Sequence, residues 1–522
     1  MVHVVAKNIH RVKADGEEMM ASALAKIERS AFAGASVATL ERAVGIAVIP
    51  LAQHMIAVAF ASACRGAMLA DLEDRGLSRK QVRLRTDEDG YATVHTTFGP
   101  VTFPTFAYFD LSTAAASVTR RPAQKLFPFH QSCRSSPLCL EWEARLGAQH
   151  PFRRAEELFR FFTRGVSTVE DTTISRHMLA LSDMVEPSWL YQRPEDIRAT
   201  LQEKATRDRA TNRPLIYMST DAHALRRYAG NGWVKNWKMV NGIRIWCEDA
   251  KTGRIIHLGG EFTWGDCREV GARVQALINE GVLPNEDEAW KTLDAQLVFI
   301  SDGAEWLTEH VLPVLVGAEI ILDPYHLMDW FAEFGRDVFK VGSTEARDLH
   351  AAVRLVLFGK RPKAPRPGGT ERRGHKKKRG VRLAHAYDRR WLQRGRPRTV
   401  STEATTKALL DILAGIRLPR AKEALREALV EKLAKNALRI DYAAHLARGL
   451  QIGSGPMESM HRTGSQLRLK VPGASWLEET SMAVLRFRML ELSGRWDEFW
   501  RQEGIAGKIS GAFKKGRPNM LS

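Results

Sequence analysis

Leu297-Val298-Phe299-Ile300-Ser301-Asp302-Gly303-Ala304-Glu305-Trp306 and Ile320-Ile321-Leu322-Asp323-Pro324-Tyr325-His326 decide the fold of this chain. Each is a short apolar run ending in an aspartate, the pattern of a buried strand whose last residue emerges at a sheet edge. Glu305 to Val316 has the length of one helix, so the unit is predicted as strand, Asp, helix, strand, Asp. Open α/β sheets place their chemistry at the carboxyl ends of their strands, where both aspartates fall. Asp302-Gly303 equally suits a turn that caps the following helix, and the local sequence leaves both readings open.

Upstream, Pro214-Leu-Ile-Tyr-Met-Ser-Thr-Asp221 is a further strand predicted to end in an aspartate. Val240-Asn-Gly-Ile-Arg-Ile-Trp-Cys247 and Arg254-Ile-Ile-His-Leu-Gly259 follow as two more, joined by the turn-like Asp249-Ala-Lys-Thr-Gly253. Asp266 to Glu280 is amphipathic and leads towards the Asp302 strand. An antiparallel trio continued by helical crossovers makes a mixed sheet with helices packed on it.

The chain has 522 residues, a net charge of +18 and a pI near 9.8. That length exceeds one ordinary domain, and the Lys and Arg excess favours a polyanionic partner, nucleic acid before a membrane surface. Cys64, Cys133, Cys139, Cys247 and Cys267 are scattered without a Cys-x-x-Cys pair. A disulfide framework or zinc ribbon is not expected, and a reducing cytoplasm suits the set. Met1-Val-His-Val-Val-Ala-Lys7 lacks the pattern of a secretory leader. Val44 to Ala63 is the most apolar window, but it carries Gln53 and His54 and is read as a core helix, not a membrane span.

Residues 1–150 form a mainly helical amino-terminal region, with a β-hairpin predicted at Tyr91 to Phe103 around Gly99-Pro100. Residues 151–212 hold a candidate helix-turn-helix and a polar connector; a plain helical hairpin fits the same pattern. The first part of the α/β core covers 213–345. From 346 to 445 runs a basic loop and an all-helical insertion, 446–500 completes the core, and 501–522 is a basic tail. Within Lys360 to Arg398 only Glu371 and Asp388 oppose the positive charge, so the run Lys376, Lys377, Lys378, Arg379 is expected to meet phosphate.

The last informative stretch is Gly449-Leu-Gln-Ile-Gly-Ser-Gly-Pro-Met-Glu458-Ser-Met-His-Arg462-Thr-Gly-Ser-Gln-Leu-Arg468-Leu-Lys470. Gly455-Pro456 suits a helix start, and Glu458 then lies in the first turn, where the positive helix end favours a carboxylate.

Taken in order, the strand to Asp221, the Asp-Gly-Ala-x-Trp at Asp302, the Asp-x-x-His at Asp323 and His326, and the Gly-Ser-Gly-x-x-Glu at Glu458 resemble a DDE transposase of a bacterial insertion sequence. The branch is the one allied to the Mutator-like superfamily, of the ISKra type. The similarity runs from about Pro151 to Trp500 and includes Trp476, Leu485-Arg486 and Leu492-Ser-Gly-Arg-Trp496. His223 stands where relatives often carry a smaller residue.

The resemblance implies an RNase H-like mixed sheet interrupted by the helical insertion. It makes Asp221, Asp302 and Glu458 a metal-binding catalytic triad supported by Asp323 and His326. DNA contacts are expected from Lys376 to Arg379, Arg462, Arg468 and Lys470, the DNA being transposon ends and target. The protein would be a homodimer or higher homo-oligomer, cytoplasmic and nucleoid-associated in a bacterium, with no membrane partner. Phosphodiester cleavage requires stabilised charge on the leaving oxygen. Two divalent ions held by clustered carboxylates provide it, Mg²⁺ first and Mn²⁺ as a substitute. Two other readings share these residues: an RNase H-like nuclease without strand transfer, and a non-catalytic DNA-binding descendant.

Overall fold

The computed structural model describes residues 9–33, 36–85, 90–112, 119–126, 133–229, 234–339, 341–358 and 402–514. All of Lys360 to Arg398, with Lys376, Lys377, Lys378 and Arg379, therefore lies outside the described residues. The chain forms two units: residues 1–186 with 479–488 and 495–522, and residues 187–478 with 489–494.

The first unit opens with helices Ile9–Phe32 and Val37–Asp74. Five short strands follow, β1 (Val82–Leu84), β2 (Tyr91–Thr96), β3 (Gly99–Pro104), β4 (Tyr108–Asp110) and β5 (Thr119–Arg120). β2 and β3 pair as the predicted hairpin, and β1, β4 and β5 make a small three-stranded sheet. The Val37–Asp74 helix is a core helix along one face only. Ala57, Ala61 and Cys64 pack with Val94, Val101 and Phe103 of the hairpin, while Ile46 and Met55 are 69% and 62% exposed. Its mean hydropathy reaches 1.9 over the most apolar window, so by length and composition it could cross a membrane.

Helix Pro137–Gln149 is capped by Ser136, which accepts from the Cys139 N–H at 3.2 Å. It packs with Phe152–Phe162 and Asp171–Ser182, so residues on both sides of position 150 share one three-helix group. Glu143 is fully buried in that group, accepting from His177 Nδ1 at 2.5 Å and from Ser135 Oγ at 3.0 Å. Glu143→Ala strands both donors in the interior, and at about 1–3 kcal/mol for each unsatisfied group the first unit should lose roughly 3 kcal/mol. Chemical denaturation read on this unit checks the loss; an unchanged midpoint contradicts it.

The second unit is a five-stranded sheet: β6 (Leu215–Ala229), β7 (Val234–Glu248), β8 (Ile255–Thr263), β9 (Gln296–Ser301) and β10 (Glu319–Leu322). Their order is β10-β9-β6-β7-β8, with β6, β7 and β8 antiparallel and β9 and β10 parallel to β6. Buried Tyr217, Val298, Ile300, Ile321 and Leu322 form its core. Asp221 does not end its strand, contrary to the sequence expectation. Thirteen cross-strand pairs, from Tyr217↔Trp246 to Ala229↔Val234, carry β6 eight residues beyond it. Between β9 and β10 the helix is shorter than expected, Glu305–His310, since Pro313 supports only a 3₁₀ turn at Leu312–Val314.

The helical insertion is not a separate core. Leu409, Leu413, Leu429 and Leu433, from helices Thr402–Ala414 and Glu423–Lys435, join the cluster built by Ile300, Ile321 and Phe331. Leu438 of the insertion is 84% exposed.

Candidate active site

Strand register brings the aspartates into one row. The β6–β9 ladder ends at Met218↔Phe299, and three residues further along each strand Asp221 and Asp302 come level. Likewise β10 and β9 end at Leu322↔Ser301, so Asp323 comes level with Asp302 one residue on. Three neighbouring parallel strands thus deliver three carboxylates to one edge region of the sheet.

Each has a distinct role in the local structure. Asp302 Oδ1 accepts from the Ala304 N–H at 2.9 Å, so the turn-and-cap reading of this residue is physically present. Gly303 has φ 75°, and a Cβ there would lie 2.7 Å from Leu322 and 3.0 Å from Trp330. The turn that lifts Asp302 off the strand therefore requires glycine. Asp323 is 2% exposed. Its Oδ1 caps helix Pro324–Val338 by accepting from Tyr325 N at 2.7 Å. Its Oδ2 accepts from both the N–H and the hydroxyl of Ser454, at 2.6 and 2.9 Å. Asp323 is thus a brace buried away from solvent, and a direct contact with DNA is closed to it.

That brace reaches the loop before Glu458, whose unusual sequence now has a physical account. Gln451 is held by Trp246 Nε1, which donates to its side-chain Oε1 at 3.0 Å, and its own Nε2 donates to Glu248 at 2.6 Å. Trp246 stacks on Tyr217 with ring centroids 5.7 Å apart. Half-buried Arg244 on β7 donates to the Pro456 carbonyl, and burial lowers its guanidinium to about 10. Helix Gly455–Met460 therefore starts from a loop pinned to β6, β7 and β10, with Pro456 and Glu458 in its first turn.

The helix then lies on β7 at Gly242, the residue paired with Asp221. A Cβ on Gly242 would come 2.5 Å from Met457 Cε and 2.9 Å from His461 Nε2. This glycine allows the close approach that brings Glu458 towards Asp221. Gly242→Val overpacks the contact at about 1–3 kcal/mol and should reduce any activity of the site more than it reduces folding. The comparison of thermal midpoint with turnover checks this; parallel losses would make the contact merely structural.

The electrostatics record the convergence. Burial pushes the Asp221 carboxyl up to about 6, a backbone bond from Ala222 opposes the rise, and the charges of Asp302 and Glu458 add to it while His326 counters it. Glu458 is raised by burial and by Asp323, and lowered by His326. Charges from three separate segments, at Asp302, Glu458 and His326, therefore reach Asp221. Among the described residues no three His, Cys, Asp or Glu side chains stand close enough to share one ion as placed. Their hard-oxygen chemistry and mutual repulsion nonetheless suit a divalent cation, which would favour the ionised forms.

Of the residues expected to meet DNA, Lys470 is exposed and Arg462 half-buried. Arg468 is a correction: it is 2% exposed, with its guanidinium 4.8 Å from the Trp476 ring, so it packs inside the unit. Two residues unmarked by the sequence reading belong to the site. Tyr325 is half-exposed and its hydroxyl is raised by burial and by nearby Asp323 and Glu458. His461 lies one helical turn beyond Glu458, with Nδ1 3.6 Å from Asp221 Oδ2. Burial pushes His461 down to about 3 and His223 down to about 4.

No protein-family model and no curated protein sequence matches the chain. Among solved structures it is similar to the Drosophila P element transposase strand transfer complex, at 13% identity and a TM-score of 0.21. That match covers 72% of this chain and 84% of the other. A TM-score of 0.21 carries no argument for fold or activity, and the residues of the site bear the functional reading.

Proposed function

We propose that the chain is a DDE-type transposase with an RNase H-like core, cleaving DNA strands and joining them to target DNA. The observation that carries this reading is that Asp221 feels the charges of Asp302, Glu458 and His326, which come from three other segments, with Asp302 level with it on the neighbouring strand. An antiparallel trio continued by two parallel strands through helical crossovers supports the core assignment, and the +18 charge supports a polyanionic substrate.

Asp221, Asp302 and Glu458 would hold two Mg²⁺ ions, or Mn²⁺ in their place, which when bound stabilise charge on the leaving oxygen of a phosphodiester. The protein's own part is positional. β6 and β9 present two carboxylates in register, Asp323 fixes the loop that launches Glu458, and Gly242 admits its helix. Lys470 and Arg462 would take backbone phosphates. The full chain incubated with DNA from the flanks of its coding region, with Mg²⁺ or with EDTA, tests the proposal. Cut and joined products only with Mg²⁺ are expected. Cutting without joining would make it a nuclease, and DNA bound but uncut in Mg²⁺ would overturn catalysis altogether.

A further inference from the structure

We propose that His461 is a positioning residue, holding the Asp221 segment of β6 in place against the helix that carries Glu458. The inference rests on the metal-dependent reading of this site and deepens it.

The ring is 3% exposed and wedged among residues of three elements. Its Nδ1 is 3.6 Å from the Asp221 carboxylate, and its Nε2 is buried without a hydrogen-bond partner among the described residues. On its other sides lie the His223 ring at 4.5 Å between centroids and Phe262 at 5.6 Å. His223 follows Asp221 by two residues on the same strand face, and its Nε2 bonds Ser465 Oγ at 2.8 Å. Strand β6 thus meets one helical segment twice, at the Asp221 contact with His461 and at the hydrogen bond from His223 to Ser465. Both tying residues of that segment fall in a π-helical stretch, His461–Gln466. Such widened turns reset which side chains face a neighbour and recur at functional positions. An ordinary α-helix would carry Ser465 one turn above His461 without the extra residue that the π stretch inserts.

One turn of helix separates Glu458 from His461, so the same segment supplies a candidate ligand and the group that orients another. Outer partners of this kind orient ligating side chains, and their loss costs typically 10–100-fold in metal affinity or activity. His223, an oddity beside Asp221 in the sequence, becomes the second anchor of that arrangement.

Three variants of the full chain test this: His461→Phe keeps the ring and removes the donor, His461→Asn keeps a donor near Nδ1, and Ser465→Ala unties His223. Mn²⁺ binding is read by calorimetry and by Mn²⁺-induced thermal stabilisation, and the Mn²⁺ dependence of DNA cleavage is read alongside. His461→Phe should weaken Mn²⁺ binding roughly 10-fold or more, with DNA binding in EDTA unchanged, and His461→Asn should recover most of it. Wild-type Mn²⁺ affinity in a folded His461→Phe protein would overturn the positioning role while leaving the transposase reading intact. If wild-type protein neither binds Mn²⁺ nor cuts DNA, the broader reading fails, and this one with it. Should His461→Phe not fold, Ser465→Ala decides: weakened Mn²⁺ binding supports the inference, and wild-type binding overturns it.

Discussion

Asp302→Asn should abolish DNA strand cleavage, by about 10³-fold or more, while DNA binding and the thermal midpoint hold. An asparagine side-chain oxygen can still accept from the Ala304 N–H, so the turn that Asp302 caps survives the change. What it loses is the charge needed to hold a divalent ion. Several kcal/mol of transition-state stabilisation, at 1.36 kcal/mol for each tenfold in rate, corresponds to that loss. Binding depends on phosphate contacts spread over the basic surface and should not follow. A cleavage rate near wild type would mean that Asp302 only shapes the turn.

The same variant has a signature in the absence of metal. Asp302 is one of the charges that raise the Asp221 carboxyl to about 6. Between the unfolded value near 3.9 and about 6, the folded protein holds a proton that the unfolded chain has released, so stability falls as pH rises through that window. Removing the Asp302 charge lowers the folded value and narrows the window. The metal-free Asp302→Asn protein should therefore lose less stability than wild type between pH 4 and 7, as read by thermal denaturation. An identical pH profile would place the two carboxylates out of each other's reach.

Asp323→Ala is expected to be the most damaging single change for stability in the second unit. It strips the cap from helix Pro324–Val338 and leaves the Ser454 N–H and hydroxyl without their acceptor in a buried setting. A lost cap costs about 1 kcal/mol and each stranded donor about 1–3 kcal/mol, so roughly 3 kcal/mol is expected. Asp323→Asn separates the two functions. Its oxygen can keep the cap through Tyr325 N, but its amide then faces the Ser454 N–H, donor against donor. That protein should retain most of its stability and lose cleavage by about 10–100-fold, because the loop that launches Glu458 is released. Equal stability losses in the two variants would show that the Ser454 contact has no separate importance.

Local patterns marked much of this arrangement in advance. The apolar runs before Asp302 and Asp323 are the strands β9 and β10, and Gly455-Pro456 starts the helix that bears Glu458 in its first turn. Such features need only a few adjacent residues: strand period, a Pro that tolerates the first helical turn, a Gly able to adopt positive φ. The amino-terminal helices and the β2–β3 hairpin were legible for the same reason.

Features that depend on partners distant in sequence were misread or missed. The length of β6 past Asp221 is set by pairing with β7, and the Gly242 contact that seats Glu458 joins residues more than two hundred positions apart. Arg468 carries a charge that a sequence assigns to the surface, yet the Trp476 ring and the surrounding core take it inside. The leucine-rich insertion reads as its own domain because its helical period is self-contained, but its apolar face is buried on the sheet's core. The sequence by itself thus determined where most elements form and that Asp302 and Asp323 stand at the ends of their strands. The tertiary structure alone decided that Asp221 lies within reach of the charges of Asp302 and Glu458 and that Asp323 braces the loop before Glu458, since burial and charge coupling exist only once distant segments share one interior.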